Sequence, residues 1–290
     1  MKESIINFFI YSLIFVLLIG YFKYINTSTQ EKVDVPSKQE ETIEIKTDEE
    51  LENYLVQVVA CEMPALYENE ALKAQAIASR TYALYQRDIN KVGLTAQDQC
   101  FLTEDKMHDK WGDDYQKYYD IIKNAVKETE SYVMKKNNAL FKSFYFSTSN
   151  GYTEDSMTVF KEGDISSVSS PWDKENKNFE VKIYLDKTEL IKNLGEFNNI
   201  TITKRNETNH VEEVQVDEKT LTGIEFRKKL NLRSTDFDIN EVNGSYEITT
   251  RGYGHGVGMS QYGANMLAKE NKNCESILKY YYGNIEIKKY

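Results

Sequence analysis

The sequence predicts an α+β domain with an N-terminal helical part followed by a β-rich part, preceded by a single transmembrane helix. Three observations predict this class. Apolar residues recur at helical spacing between residues 48 and 130. Short runs rich in β-branched and aromatic residues follow, without the strand–helix alternation of a parallel sheet. An uncharged segment lies near the N-terminus.

The uncharged segment, residues 4–22, predicts a membrane anchor. As a helix, its 19 residues would extend about 28 Å, close to the thickness of the hydrocarbon core. A cleaved signal peptide is the alternative, but it would have a shorter apolar core and a small-x-small site, and residues 21–24 offer no such site. Because the flanking charges Lys2 and Lys23 nearly balance, we expect the soluble part outside the cytoplasm from its size alone.

We therefore divide the chain into an anchor (residues 1–25), a flexible polar tether (26–42) and one folded domain (43–290). Thr47 and Glu50 fit a capping box that begins a helix over 48–61, and Pro64 ends it. Three more helices are predicted, the first with a series of alanines, at 69–87, 114–130 and 261–270. The predicted strands are 139–146, 179–185, 200–204, 211–216 and 246–250.

Charge and cysteine content argue against several classes of protein. The 290-residue chain has a net charge of -10 and a pI near 5.1, which disfavours non-specific attraction to nucleic acid or anionic lipid headgroups. Its three cysteines, Cys61, Cys100 and Cys274, form no CxxC pair. We therefore expect three free, buried thiols rather than a disulfide framework or a four-cysteine zinc site.

Glu62 is the first candidate for chemistry. It follows the first predicted helix, where unpaired carbonyl groups and the helix dipole present negative charge, and the residues on both sides, 59–61 and Met63, are apolar. Both influences disfavour the carboxylate and raise its pKa, as protonation of a glycosidic oxygen at neutral pH requires. From this local pattern alone, an ordinary glutamate at a helix end is the alternative.

Two polar clusters are the other candidates. In residues 251–264 (RGYGHGVGMSQYGA), four alternating glycines would leave the backbone bare to a bulky ligand beside polar side chains. This string lacks the Lys-Ser/Thr ending of a P-loop and the strand-to-helix context of a dinucleotide fingerprint. Residues 147–154 (STSNGYTE) form a hydroxyl-rich turn after an aromatic strand. A loop-stabilising histidine and a hydrogen-bonded turn are the structural alternatives.

Together and in this order, the clusters resemble the stage II sporulation protein D family over nearly the whole soluble part. The matching pieces are VVACEMP (58–64), EALKAQAIASRTYA (70–83), STSNGYTE (147–154), LNLRSTDF (230–237) and the run 254–264. Two departures stand out. Phe146 lies where many relatives have a histidine, and Asn150 and Gly151 replace a double glycine.

The resemblance implies a lytic transglycosylase that acts in sporulation on glycan strands stripped of stem peptides, with Glu62 as its catalytic residue. A hydrolase normally needs two carboxylates, whereas a lytic transglycosylase can work with one. Glu62 would protonate the oxygen between N-acetylmuramic acid and N-acetylglucosamine. It would then take the proton of the muramoyl C6 hydroxyl, which closes a 1,6-anhydro ring.

The resemblance also implies a substrate-binding set within the matching pieces: Lys73, Gln75, Arg80, Tyr82, Ser147, Ser149, Asn150, Gly151, Thr153, Gly254, His255, Gly256, Gly258, Met259, Ser260, Gln261 and Tyr262. No cofactor is expected, although some relatives look able to bind zinc in the loop after the second helix, where Cys100 and His108 would make a weak site. The implied location is the mother-cell membrane, facing the forespore intermembrane space, with stage II sporulation proteins P and M as partners.

Two other functions stay open at this point. A non-catalytic glycan-binding protein that stimulates a peptidoglycan amidase, as the amidase-enhancer relatives would suggest, needs the same groove but no acid. A muramidase-type hydrolase needs a second carboxylate near Glu62, for which Glu154 and Glu70 are the candidates. Whether Glu62 and residues 254–261 line one groove is the most informative observation.

Overall fold

The structure, a computed structural model, describes residues 43–90, 94–95 and 98–290. The predicted anchor and tether lie outside these residues. Within the described ranges, no helix combines the length and the apolar character needed to cross a membrane. The described part belongs to one unit, Thr42–Tyr290.

The N-terminal part is helical, as predicted. Its helices are α1 (Asp48–Glu62), α2 (Asn69–Leu84), α3 (Glu104–Trp111) and α4 (Tyr115–Glu128). The predicted capping box is present, because Thr47 Oγ1 accepts the Glu50 N–H and the Glu50 carboxylate accepts the Thr47 N–H. The second predicted helix ends earlier than expected and continues as a π-helical turn, Tyr85–Asn90. Helix α3 was not predicted.

Helix α2 lies at the centre of the first hydrophobic core. Its alanines Ala71, Ala74, Ala76 and Ala78 have no exposed surface, so their small side chains allow neighbouring helices to approach closely. Helices α1 and α4 pack on it from the N-terminal part. Helix α1 therefore buries one face against α2.

The middle of the chain is β-rich, as predicted. Its elements are β1 (Tyr132–Lys135), β2 (Tyr145–Phe146), α5 (Ser156–Val159), β3 (Glu180–Asp186), α6 (Lys187–Leu194), β4 (Ile200–Arg205), β5 (Val211–Val216), β6 (Lys219–Thr222), α7 (Gly223–Leu230), β7 (Phe237–Val242) and β8 (Ser245–Arg251). Two antiparallel three-stranded sheets form, in the orders β3-β8-β7 and β4-β5-β6. With α6 and α7 they enclose a second hydrophobic core around Phe226 and Phe237.

The C-terminal part returns to the first core. It contains β9 (Met259–Ser260), α8 (Gln261–Lys269), α9 (Cys274–Tyr282) and β10 (Glu286–Lys289). The predicted helix 261–270 is confirmed as α8, and a helix that was not predicted, α9, follows it with Asn273 as its N-cap. Strand β10 pairs with β1. Strand β9 runs parallel to β2, with Tyr145 opposite Met259, and this pairing brings the glycine-rich run beside the aromatic strand.

Candidate active site

Glu62 is the last residue of α1. Met63 precedes a proline and takes an extended conformation (φ -122°, ψ 146°), so the helix cannot continue. Leu55, Val58 and Val59 on the preceding turns have no exposed surface and anchor this end of the helix in the core. The side chain of Glu62 is therefore held at the edge of the first core.

Both carboxylate oxygens of Glu62 accept hydrogen bonds from distant parts of the chain. The Cys100 N–H donates to Oε1 at 3.0 Å, and Gln261 Nε2 donates to Oε2 at 3.0 Å. Gln261 Nε2 also lies 3.3 Å from Gln75 Oε1, on α2. The structure thus brings together three of the sequence clusters, namely the end of α1, the alanine-rich helix and the glycine-rich run.

A cavity of about 390 Å³ lies in front of Glu62. Its walls combine three acidic or polar positions with four aromatic rings and a histidine: Glu62, Asp98, Cys100, Tyr82, Phe144, Tyr145, Phe160 and His255. The mixture of apolar ring faces and a few convergent polar groups is typical of ligand sites. Glu62 and the residues 254–261 therefore share one cavity, through His255, and one hydrogen-bond network, through Gln261.

Burial raises the pKa of Glu62 above the ordinary value for a glutamate. Hydrogen bonds from Gln261 and from the Cys100 backbone and the positive charge of Lys110 act in the opposite direction, because each favours the carboxylate. Lys110 reaches this site because its Nζ donates to the Ala60 carbonyl, one of the unpaired carbonyls at the end of α1, at 2.8 Å. The net direction agrees with the prediction made from the helix end.

His255 is held as a neutral ring in the cavity wall. Its Nδ1 accepts the Val257 N–H at 3.0 Å, so that nitrogen carries no proton. Burial, with a smaller contribution from the charge of Arg227, lowers the pKa of His255 to about 4. The ring packs against Phe144, Phe146 and Phe160 at centroid distances of 5.9, 5.7 and 5.1 Å. At neutral pH the His255 ring is therefore uncharged, and it forms part of the cavity wall.

Sequence reasoning missed much of the cavity wall. Tyr145 is a partly buried phenol whose oxygen receives hydrogen bonds from Gln99 Nε2 at 2.8 Å and Ser79 Oγ at 3.3 Å. Asp98 is held by the Thr95 N–H and Oγ1, each at 2.9 Å. The aromatic run 141–146 was a signal for Phe144 and Tyr145, but it was assigned to a strand; Asp98 lies in a loop that carries no motif.

The glycines of the second cluster do not leave their backbone open to a ligand. A Cβ on Gly254, whose φ is +123°, would lie 2.6 Å from the Cβ of Phe146. A Cβ on Gly258, whose φ is +79°, would lie 1.9 Å from the Phe144 carbonyl oxygen. The space is filled by the protein itself, since β2 lies against this run. The prediction of a bare backbone for substrate was wrong, and these glycines serve close packing of two chain segments.

The turn 147–154 contacts polar residues of the β-rich part. The amide of Asn150 donates to Asp236 Oδ2 at 2.9 Å and to the Thr208 carbonyl at 2.7 Å. The buried Glu154 accepts a hydrogen bond from Asn206 Nδ2 at 2.8 Å and another from Thr208 Oγ1. Glu154 therefore does not line the cavity. The other predicted second carboxylate, Glu70, is also bound elsewhere, to Lys73 and to the Cys274 N–H, both at 2.7 Å.

Several members of the predicted substrate-binding set are closed off from solvent: Gln75, Arg80, Ser149, Thr153, Met259 and Ser260. The Ser260 Oγ and the Ser149 N–H both donate to Asp173, which fixes them to each other through one buried carboxylate. A Cβ on Gly151 would meet Lys174, and a Cβ on Gly256 would meet Glu154. We assign these residues to the support of the site.

The remaining members differ in position. Tyr82 and His255 line the cavity, and Gln261 contacts Glu62. Lys73 forms ion pairs with Glu70 at 2.7 Å and with Glu128 at 3.4 Å. Ser147 and Tyr262 are partly exposed neighbours, since the Tyr262 N–H donates to the Ser147 carbonyl.

Cys61 and Cys100 form a disulfide, with their Cα atoms 5.7 Å apart. The expectation of three free thiols was therefore wrong for Cys61 and Cys100. The third cysteine, Cys274, is free, so the odd number of cysteines gave no indication that the other two are paired. The weak zinc pair fails as well. Cys100 has no thiolate to offer, and His108 stacks on Tyr115 at a centroid distance of 3.5 Å.

Comparison with known proteins identifies the family. A family model described as "Stage II sporulation protein" matches residues 39–135. The chain is 36% identical over 253 residues to the stage II sporulation protein D of Bacillus subtilis, covering 82% of this chain and 74% of that protein. The protein of the same name from Bacillus amyloliquefaciens gives the same identity and coverage. The amidase enhancer of Bacillus subtilis is 27% identical over 295 residues, covering 80% of this chain and 40% of that protein. The chain therefore belongs to the stage II sporulation protein D family, which is involved in sporulation.

Proposed function

We propose that the chain is a peptidoglycan lytic transglycosylase in which Glu62 acts first as an acid and then as a base. The observation that supports this most is the setting of Glu62. It borders an aromatic-lined cavity of about 390 Å³, burial raises its pKa, and both of its oxygens are held by donors. A carboxyl group that keeps its proton near neutral pH can protonate a leaving oxygen.

In the proposed reaction, Glu62 transfers its proton to the oxygen between N-acetylmuramic acid and N-acetylglucosamine. The bond from C1 to that oxygen breaks, and positive charge develops at C1. The C6 hydroxyl of the same muramoyl ring attacks C1, and Glu62, now a carboxylate, takes the hydroxyl proton. The products are a 1,6-anhydromuramoyl end and a free N-acetylglucosamine end, and Glu62 returns to its protonated form.

The residues around Glu62 support this chemistry. Cys100 and Gln261 donate hydrogen bonds that fix the carboxyl group and strengthen as it becomes charged. The rings of Tyr82, Phe144 and Phe160 offer apolar faces on which sugar rings can pack. They also limit the access of water molecules to the C1 atom of a bound muramoyl sugar. Exclusion of water favours attack by the internal hydroxyl over hydrolysis.

One observation favours a hydrolase as the second candidate. Asp98 lines the same cavity as Glu62 and would supply the second carboxylate that a hydrolase needs. Its oxygens are engaged by Thr95 and by Gln86 Nε2 at 3.2 Å, and the Tyr82 hydroxyl lies at 3.5 Å. A side chain so fully bound by protein donors is poorly suited to act as a mobile nucleophile or base, which is why we rank the hydrolase second.

A non-catalytic role in stimulating an amidase is the third candidate, and the similarity to an amidase enhancer supports it. It requires that glycan binds the cavity without being cleaved. The raised pKa of Glu62 then has no use, which is why we rank it lower.

The test is incubation of the full-length chain with glycan strands free of stem peptides, followed by mass spectrometry of the products. Anhydromuramoyl ends that disappear in Glu62→Gln and persist in Asp98→Asn support the proposal. Reducing muramoyl ends that require both carboxylates indicate hydrolysis. Binding without cleavage refutes the enzyme and leaves the amidase-stimulating role. Glu49→Gln is the matched control, because Glu49 is an exposed glutamate on the same helix, α1.

We further propose that residues 4–22 anchor the chain in the mother-cell membrane, with the catalytic domain in the space next to the forespore. Glycan stripped of stem peptides and the stage II sporulation proteins P and M would be its partners there. Protease protection in sporulating cells after engulfment tests this. The domain should resist protease when only the mother-cell plasma membrane is opened, and it should be digested once the mother-cell membrane around the forespore is opened as well; digestion at the first step would contradict the proposed location.

A further inference from the structure

One disulfide joins the two chain segments that meet at Glu62. Cys61 directly precedes Glu62, and Cys100, 39 positions further along the chain, is bonded to it through sulfur. The N–H of the same Cys100 donates to Glu62 Oε1 at 3.0 Å. The covalent link and the hydrogen bond therefore connect the same two segments side by side, and Cys100 also lines the cavity.

Other contacts hold the neighbours of Cys100 but not its amide. Gln99 on one side is buried, and its side chain bonds the hydroxyls of Tyr54 at 3.3 Å and Tyr145 at 2.8 Å. On the other side, the Leu102 N–H donates to the Gln57 carbonyl at 3.2 Å. Without the disulfide, the segment would thus stay near α1. The disulfide fixes the position of the Cys100 N–H relative to the Glu62 carboxyl group.

We propose that the Cys61–Cys100 disulfide is a positioning element for Glu62, so that the activity of the site depends on the oxidation state of this pair. The inference rests on the proposed function of Glu62 for its kinetic part only. A hydrogen bond to the carboxyl group is stronger when that group is charged, which happens as the glycosidic bond breaks. An interaction that strengthens in the transition state raises kcat and leaves KM unchanged.

The step that switches the site off is ordinary thiol–disulfide exchange. A dithiol such as dithiothreitol supplies two electrons and two protons, the Cys61–Cys100 sulfur–sulfur bond breaks, two thiols form, and the reagent becomes its cyclic disulfide. Cys100 is exposed, so the reagent can reach the bond. The free Cys274 is the control, because it takes no part in the disulfide and its N–H donates a hydrogen bond to Glu70, away from Glu62. Burial raises the pKa of its thiol to about 11, so this cysteine reacts little in thiol–disulfide exchange.

The first test does not depend on catalysis. The full-length chain, solubilised in detergent and labelled with ¹⁵N only at cysteine, gives three amide signals. Labelling with ¹³C at the carbonyl of the preceding residue, Ala60, Gln99 or Asn273, assigns them without breaking the disulfide. We expect the Cys100 amide signal to move on reduction and to move in Glu62→Ala, while the Cys274 signal stays in place. An unmoved Cys100 signal in either case, or three free thiols in the unreduced, denatured chain, overturns the proposal.

The second test is kinetic, on glycan strands free of stem peptides. Reduction of the wild type should lower kcat about tenfold with KM unchanged, and reoxidation should restore it. The double variant Cys61→Ser/Cys100→Ser should have the low kcat and no response to reductant, whereas Cys274→Ser should behave as the wild type. A kcat that ignores reduction refutes the positioning role. If no variant cleaves glycan, the proposed function fails and the amide signals alone decide.

Discussion

Arg80 provides a sharp test of the division between structural and ligand-binding residues, because the family resemblance implied that it belongs to the substrate-binding set. Its side chain is 1% exposed. Nε and Nη2 donate to the two oxygens of Glu52 at 2.8 and 2.7 Å, and Nη1 donates to the Tyr132 carbonyl at 3.1 Å. The guanidinium thus links α1, α2 and the start of β1.

The perturbation is Arg80→Met, which keeps the length of the side chain and removes its charge. Glu52, whose side chain is 20% exposed, then loses its counter-charge, and the Tyr132 carbonyl loses its donor. Removal of one partner from a buried pair costs about 3–5 kcal/mol. For a domain of this size, a loss of about 4 kcal/mol lowers the Tm by roughly 8–16 °C.

The assay is guanidinium unfolding of the full-length chain followed by circular dichroism, with glycan binding measured below the transition. Arg87→Met is the matched control, because Arg87 lies just beyond the same helix and pairs with its neighbour Asp88, a partly exposed pair worth less than about 1 kcal/mol. The double variant Arg80→Met/Glu52→Met should recover most of the loss, since no charge is then left without its partner. A loss below about 1 kcal/mol together with weaker glycan binding would refute the structural assignment.

Three further predictions follow from the site. Burial raises the folded pKa of Glu62 above its unfolded value, so the charged carboxylate destabilises the folded state at high pH and the neutral carboxyl group does not at low pH. Glu62→Gln should therefore match the wild type in unfolding free energy below about pH 4 and exceed it as the pH rises. Urea unfolding at several pH values measures this difference. His255, with its pKa lowered to about 4, should show no titration between pH 5 and 8 in its NMR signals, and a midpoint near 6.5 would contradict the closed wall around it. Loss of the Cys61–Cys100 disulfide, which closes a loop with a sequence separation of 39, should cost about 4 kcal/mol of unfolding free energy in the chain-entropy model, whereas Cys274→Ser should change it little. Equal midpoints for the oxidised and reduced chains in guanidinium would contradict this last expectation.

Local signals predicted the elements whose causes are local. Thr47 and Glu50 cap α1, Pro64 ends it, and the valine-rich run Val211–Val216 forms β5 at the predicted positions. Helix α9 escaped prediction although Asn273 caps it, because only four residues separate its short sequence from the end of α8. Strand 139–146 was predicted too long, since only Tyr145 and Phe146 find a partner strand.

The site was predictable in part. The resemblance to known motifs singled out Glu62, and its place at the helix end indicated the direction of its pKa. The resemblance could not separate side chains that line the cavity from those that support it, such as Arg80 and Ser260, because both kinds lie in the same motifs. The disulfide was equally out of reach, since pairing of two cysteines depends on where the fold brings them.

The sequence by itself determined that a glutamate ends an amphipathic helix among apolar neighbours, because capping, helical spacing and proline act over a few residues. Only the tertiary structure decided that its two oxygens meet the Cys100 N–H, 38 positions away, and Gln261, 199 positions away, in front of an aromatic cavity. Those contacts form because helices and strands far apart in the chain bury their apolar faces in one core. No local preference encodes which faces meet.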